Sequence, residues 1–97
     1  MVIDAGHGGP TSSGAVSNTG IKEKDVNLKL TYILKELLEK EGAKVILSRK
    51  TDVAMSMRER QDFFIDNNAD IVLSIHNNAD YNPLTVGGSS TYYRYNV

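Results

Sequence analysis

Three features of the chain predict an α/β fold with a largely parallel sheet. Short apolar runs at Val2 to Asp4, Lys44 to Ser48 and Asp70 to Ile75 have the length and composition of strands. Two longer segments, Lys24 to Glu41 and Ser56 to Asn67, carry helical signals and lie between them. Strand, helix, strand, helix, strand is the alternation that builds parallel sheets, with right-handed crossovers placing the helices over the sheet faces.

The first strand stops abruptly at Gly6-His7-Gly8-Gly9, where glycine lets the backbone turn and present the histidine outward. A Gly/Ser/Thr-rich loop then runs to Gly20; it is longer than an ordinary connection, and such loops often carry function. In the first helix, Val26, Leu30, Ile33, Leu34, Leu37 and Leu38 fall at helical spacing and predict one buried face, with Gly42 as the stop signal. Val45-Ile46-Leu47 is a continuous apolar run, as expected of a strand covered on both faces. Ser56 and Glu59 have capping-box spacing at the start of the second helix. The third strand ends at His76, and Ser89 to Tyr95 is β-prone enough to predict a final strand.

At 97 residues the chain makes a single domain, residues 1–97, with less margin for core burial than a domain of about 150 residues. Its net charge of -1, with Lys and Arg scattered, leaves no electrostatic footprint for nucleic acid. The absence of cysteine removes disulfides and thiolate metal sites. No apolar run approaches the ~20 residues needed to span a bilayer. Gly9 and Gly14 have P-loop spacing, but Ala15-Val16 replaces the Lys-Ser/Thr pair that would reach phosphate and magnesium.

Chemistry concentrates on the two histidines. His7 and His76 each close a predicted strand, and function in open α/β sheets gathers at the carboxyl ends of strands. Two imidazoles at equivalent strand ends suggest a metal site, which needs about three protein ligands. Glu23, at the entrance to the first helix, is the best third ligand, with Asp25 as runner-up. Asp4 lies within the strand and is expected to hydrogen-bond loop amides instead. The plain alternative for Glu23 is a favourable charge at a helix N-terminus, worth ~0.3–1 kcal/mol.

Several further segments, read together, resemble the zinc-dependent N-acetylmuramoyl-L-alanine amidases. They are Asp4-Ala5-Gly6-His7-Gly8-Gly9, Glu23-Lys24-Asp25-Val26-Asn27-Leu28, Gly42-Ala43-Lys44-Val45 leading to Arg49, Thr51-Asp52, Glu59-Arg60, and Ser74-Ile75-His76-Asn77-Asn78-Ala79, with Gly88 and Tyr92-Tyr93 beyond. The resemblance implies Zn2+ bound by His7, Glu23 and His76, with Asn78 supporting the site. It implies a phosphorylase/hydrolase-like three-layer α/β/α sandwich around a mixed, largely parallel sheet. The implied substrate is peptidoglycan or a muropeptide, cut at the amide between N-acetylmuramic acid and L-alanine, in an extracytoplasmic location such as the cell wall or periplasm. No signal peptide is legible before Val2, so that location rests on the resemblance alone.

Hydrolysis needs a base for the water proton and an acid for the leaving amine. In the family a glutamate near the end of the domain does this work. After His76 this chain has no glutamate, and Asp80 is the only carboxylate and so a weak substitute base. The base is therefore expected beyond Val97, the sandwich is expected to be truncated at its C-terminal side, and weak or absent hydrolysis follows. Apolar surface left uncovered would favour self-association. The rival readings are a non-catalytic cell-wall-binding or regulatory module of the same fold, and a zinc peptidase acting on another bond.

Overall fold

The computed structural model describes residues 1–78 and 88–93. Three strands, β1 (Val2–Ala5), β2 (Ile46–Leu47) and β3 (Val72–Ile75), alternate with two helices, α1 (Glu23–Lys40) and α2 (Met57–Asp66). The strands form one sheet in the order β2-β1-β3, and both pairings are parallel. Residues 89–93 carry no strand, and the rest of the predicted final strand lies outside the described residues, as does Asp80. Among the described residues no helix is long and apolar enough to cross a membrane.

Side chains alternate between the two faces of a strand, so neighbours along β1 meet different partners. Ile3 joins Val45 and Leu47 in the buried core, with Leu34 and Leu38 of α1 and Ile75 of β3 packed against it. Asp4 points the other way and meets Arg60 of α2. The helices thus cover opposite faces, giving the three predicted layers.

Local signals account for the helix ends. Ser56 accepts from the Glu59 amide at 3.1 Å while the Glu59 carboxylate accepts from the Ser56 amide at 3.2 Å, completing the capping box. α1 ends with Gly42 at φ 92°, its amide donating to Glu39 O and that of Ala43 to Leu38 O. α2 closes the same way, with Asn68 at φ 50° in the glycine position. Both are Schellman endings, which satisfy carbonyls that the last helical turn leaves open.

The buried face of α1 differs from the one its apolar spacing predicts. Glu23, Lys24, Asn27 and Thr31 are buried, while Leu30, Ile33 and Leu37 are exposed. Only the C-terminal half of α1 lies on apolar sheet. Its N-terminal half lies over the end of β1, where open backbone groups demand polar partners.

That demand is met by two arginines. Arg60 pairs with Asp4 and also donates to Ala5 O at 2.8 Å and His7 O at 2.9 Å. Arg49 donates to Ala5 O and Gly6 O, each at 3.1 Å, to Lys24 O at 2.9 Å and to Thr51 O at 3.0 Å. Asp4 does not bind loop amides: Ser48, the residue after β2, and Ser74 on β3 donate to it at 2.5 and 3.0 Å. Among the described residues no buried side-chain nitrogen or oxygen lacks a partner.

Arg60→Ala should therefore cost about 3–5 kcal/mol, because it leaves Asp4 charged and buried without its cation. Ser56→Ala should cost only about 1 kcal/mol, the worth of an N-cap. Urea denaturation of the two variants checks that order, and equal losses would contradict it.

Candidate metal centre

His7, Glu23 and His76 come together from the carboxyl ends of β1 and β3 and the first residue of α1. One ligand atom from each lies within 4.8 Å of the others. His7 Nε2 stands 3.5 Å from Glu23 Oε2, and His76 Nδ1 stands 3.4 Å from the same oxygen. The two imidazoles meet edge to face at 80°, with centroids 5.2 Å apart. A tetrahedral metal with ligand distances of about 2.0–2.1 Å spaces its ligands by about 3.3–3.4 Å. The donor set therefore fits a metal ion in both chemistry and spacing. It is the one such group among the described residues.

Each ligand is held by backbone around it. His7 adopts φ 62°, a left-handed conformation that costs a non-glycine residue of order 1–3 kcal/mol. Arg60 on its carbonyl and the Gly8 amide on Ser12 O, at 2.9 Å, hold it there. His7 Nδ1 pairs with Ser12 Oγ at 3.0 Å, which leaves Nε2 turned toward Glu23. The loop then folds back so that Glu23 and Lys24 amides donate to Ala15 O and Ser13 O. Close packing explains two glycines here. A Cβ on Gly6 would overlap the His76 ring, and one on Gly14 would stand 2.7 Å from both Glu23 Oε1 and His7 Cδ2.

The Glu23 carboxylate accepts from the Asn77 amide at 2.9 Å, Asn27 Nδ2 at 3.0 Å and the Ala15 amide at 3.2 Å. Two of these donors fall on Oε2 and one on Oε1, so of the carboxylate's roughly four lone-pair sites the one left for a cation is on Oε1. Burial pushes its pKa up, but these donors and His7 outweigh that effect and hold the group below its ordinary value. Glu23 is thus anionic near neutrality, as a metal ligand must be.

A second clamp holds the glycine turn. Buried Lys24 donates to Gly9 O at 2.9 Å and to Asp52 Oδ2 at 2.6 Å, while Asp52 Oδ1 accepts from the Gly9 amide at 2.7 Å. Hydrogen bonds from Lys24 and the Gly9 amide hold the Asp52 carboxyl below its ordinary value.

Of the weaker candidates, Asp25 is exposed and outside the cluster, and Asp4 faces α2. Asn78 is exposed, and the contact to the cluster comes from Asn77 instead. Asn27 was missed as a site residue, although its place four residues after Glu23 puts both on one side of α1. His76 remains half exposed, so the cluster opens to solvent on that side.

A family model described as N-acetylmuramoyl-L-alanine amidase matches residues 1–97. The N-acetylmuramoyl-L-alanine amidase LytC of Bacillus subtilis is 42% identical over 93 residues, covering 96% of this chain and 18% of LytC. The probable cell wall amidase LytH of Staphylococcus aureus is 46% identical over 81 residues, covering 81% of this chain and 26% of LytH. The crystal structure of an N-acetylmuramoyl-L-alanine amidase from Clostridium difficile 630 superposes with a TM-score of 0.79 at 37% identity, over 90% of this chain and 47% of that one. The chain spans less than half the length of each of these proteins. It belongs to the N-acetylmuramoyl-L-alanine amidase family.

Two outcomes follow from the site's packing and charge. Gly14→Ala should destabilise the fold by at least about 1–3 kcal/mol, since φ is 70° there, and should shift the His7 ring resonances in NMR. An unshifted His7 would contradict the packing. The pKa values of Glu23 and Asp52 are lowered, so the stability they contribute is complete above the ordinary values of 4.5 and 3.8 and is lost as pH falls through the lower folded values. Urea denaturation from about pH 5 to about pH 3 should show that loss, with a shallower slope in Asp52→Asn.

Proposed function

We propose that this member of the amidase family carries the zinc-binding half of a peptidoglycan hydrolase. Its metal would be held by His7, Glu23 and His76, and its substrate would be the amide between N-acetylmuramic acid and L-alanine. The observation that carries this reading is the three-donor cluster at metal spacing in a chain matched along its whole length by the family model. When bound, zinc supplies a Lewis acid for the amide carbonyl and lowers the pKa of a water to about 7.

The chain's own residues then do four things. Glu23 contributes the negative charge that offsets the cation. Ser12 keeps His7 Nε2 free for coordination. Half-exposed His76 leaves the cluster open to a polymeric substrate. The two arginines keep the backbone beneath the site from shifting as the ligands load. Similarity to the probable cell wall amidase of Staphylococcus aureus supports an extracytoplasmic location.

The general base is where a second reading enters. No glutamate follows His76, and Asp80 is the only carboxylate there. Asp80 is therefore the one candidate base within these residues, and a second reading is a non-catalytic module that binds the wall through the same cluster. Val72 and Leu73 on β3 and Leu30, Ile33 and Leu37 on α1 are exposed, which is compatible with self-association in either reading.

The expected results are one zinc per wild-type chain by elemental analysis and a large loss in His7→Ala. Equal metal content in both would overturn the metal assignment. With zinc loaded, release of L-alanyl peptide from a muramoyl-peptide supports the hydrolase, whereas binding without release supports the module.

A further inference from the structure

Asn27 is fully buried, on the side of α1 that faces the end of β1. Its Nδ2 donates to Glu23 Oε2 at 3.0 Å and to Gly6 O at 3.1 Å, and its Oδ1 accepts from Asn77 Nδ2 at 2.7 Å. The amide orientation is forced by its partners. A carbonyl and a carboxylate only accept, so nitrogen must face them and oxygen must face the Asn77 donor. One side chain therefore touches a metal-ligand candidate directly, the residue before the second and the residue after the third.

We infer that Asn27 is the positioning residue of this centre, fixing how far apart its three ligands stand. The inference rests on the metal reading proposed above. Geometry separates this role from simple support of the fold. Every group bonded to Asn27 has another partner or reaches solvent: Gly6 O also accepts from Arg49, Glu23 Oε2 also accepts from the Asn77 amide, and Asn77 is exposed. Replacing Asn27 by an apolar residue thus leaves no partner wholly buried and unpaired, so its main effect falls on where Glu23 points. Hydrogen-bond partners of metal ligands typically change metal affinity by about 10–100-fold when removed.

The test compares wild type with Asn27→Leu, which keeps a branched side chain, and Asn27→Ser, which fits without repacking. Zinc and cobalt(II) affinities are measured by calorimetry, the cobalt(II) site by visible absorption, and the metal-free unfolding midpoint by denaturation. Both variants are expected to bind one metal with about 10–100-fold weaker affinity and an altered cobalt(II) spectrum. A lowered unfolding midpoint with wild-type affinity and spectrum would make Asn27 merely structural and overturn the inference. Wild type and His7→Ala both failing to bind would overturn the metal reading and this inference with it.

Discussion

The buried pairing of Asp4 with Arg60 is the contact on which the rest of this structure depends. β1 must end inside the protein, because its last residues lead directly into the ligand-bearing turn. The carbonyls of Ala5, Gly6 and His7 lie at and just past the end of the strand and would each cost free energy if left unpaired. Arg60 and Arg49 supply planar arrays of donors that reach all three. Asp4 balances positive charge there, and Ser48, the residue after β2, and Ser74 of β3 complete its shell. One buried carboxylate thereby ties β2, β1, β3 and α2 together beneath the site.

The same constraint divides α1 into two halves of different character. Toward its C-terminus, Leu34 and Leu38 pack on the Ile3 core as an amphipathic helix normally does. Toward its N-terminus the buried positions are Glu23, Lys24, Asn27 and Thr31. Lys24 locks the glycine turn through Asp52, and Asn27 bonds to Glu23, Gly6 and Asn77. The helix start is thus part of the site rather than of the apolar core. Leu30 and Leu37 of α1 are left exposed, as are Val72 and Leu73 of β3.

The His7, Glu23 and His76 cluster needs little from its own side chains beyond their donor atoms. Backbone conformation, loop glycines and neighbouring hydrogen bonds decide where those atoms stand. The left-handed backbone of His7 illustrates the arrangement: an unfavourable local conformation is kept by Arg60, which is itself kept by Asp4. The family match runs over the whole chain, and so over these supporting residues as well as the His7, Glu23 and His76 cluster.

The sequence alone determined what depends on near neighbours along the chain. Helical periodicity, the Ser56 capping box, the Gly42 stop and the three apolar runs are short-range features, and the elements formed where they indicated. Strand ends carrying His7 and His76, with Glu23 at the helix entrance, were legible for the same reason. The buried face of α1 was not legible, because periodicity reports where apolar residues are and not what lies opposite them. Nor were the partners of Asp4, Arg49, Arg60 and Asn27, whose contacts join segments far apart in sequence or at opposite ends of a loop. Only the tertiary structure placed β3 beside β1, in the order β2-β1-β3, and so brought two histidines 69 positions apart in sequence onto one carboxylate. Strand order is decided by crossovers and by burial of whole faces, which no local stretch of residues encodes.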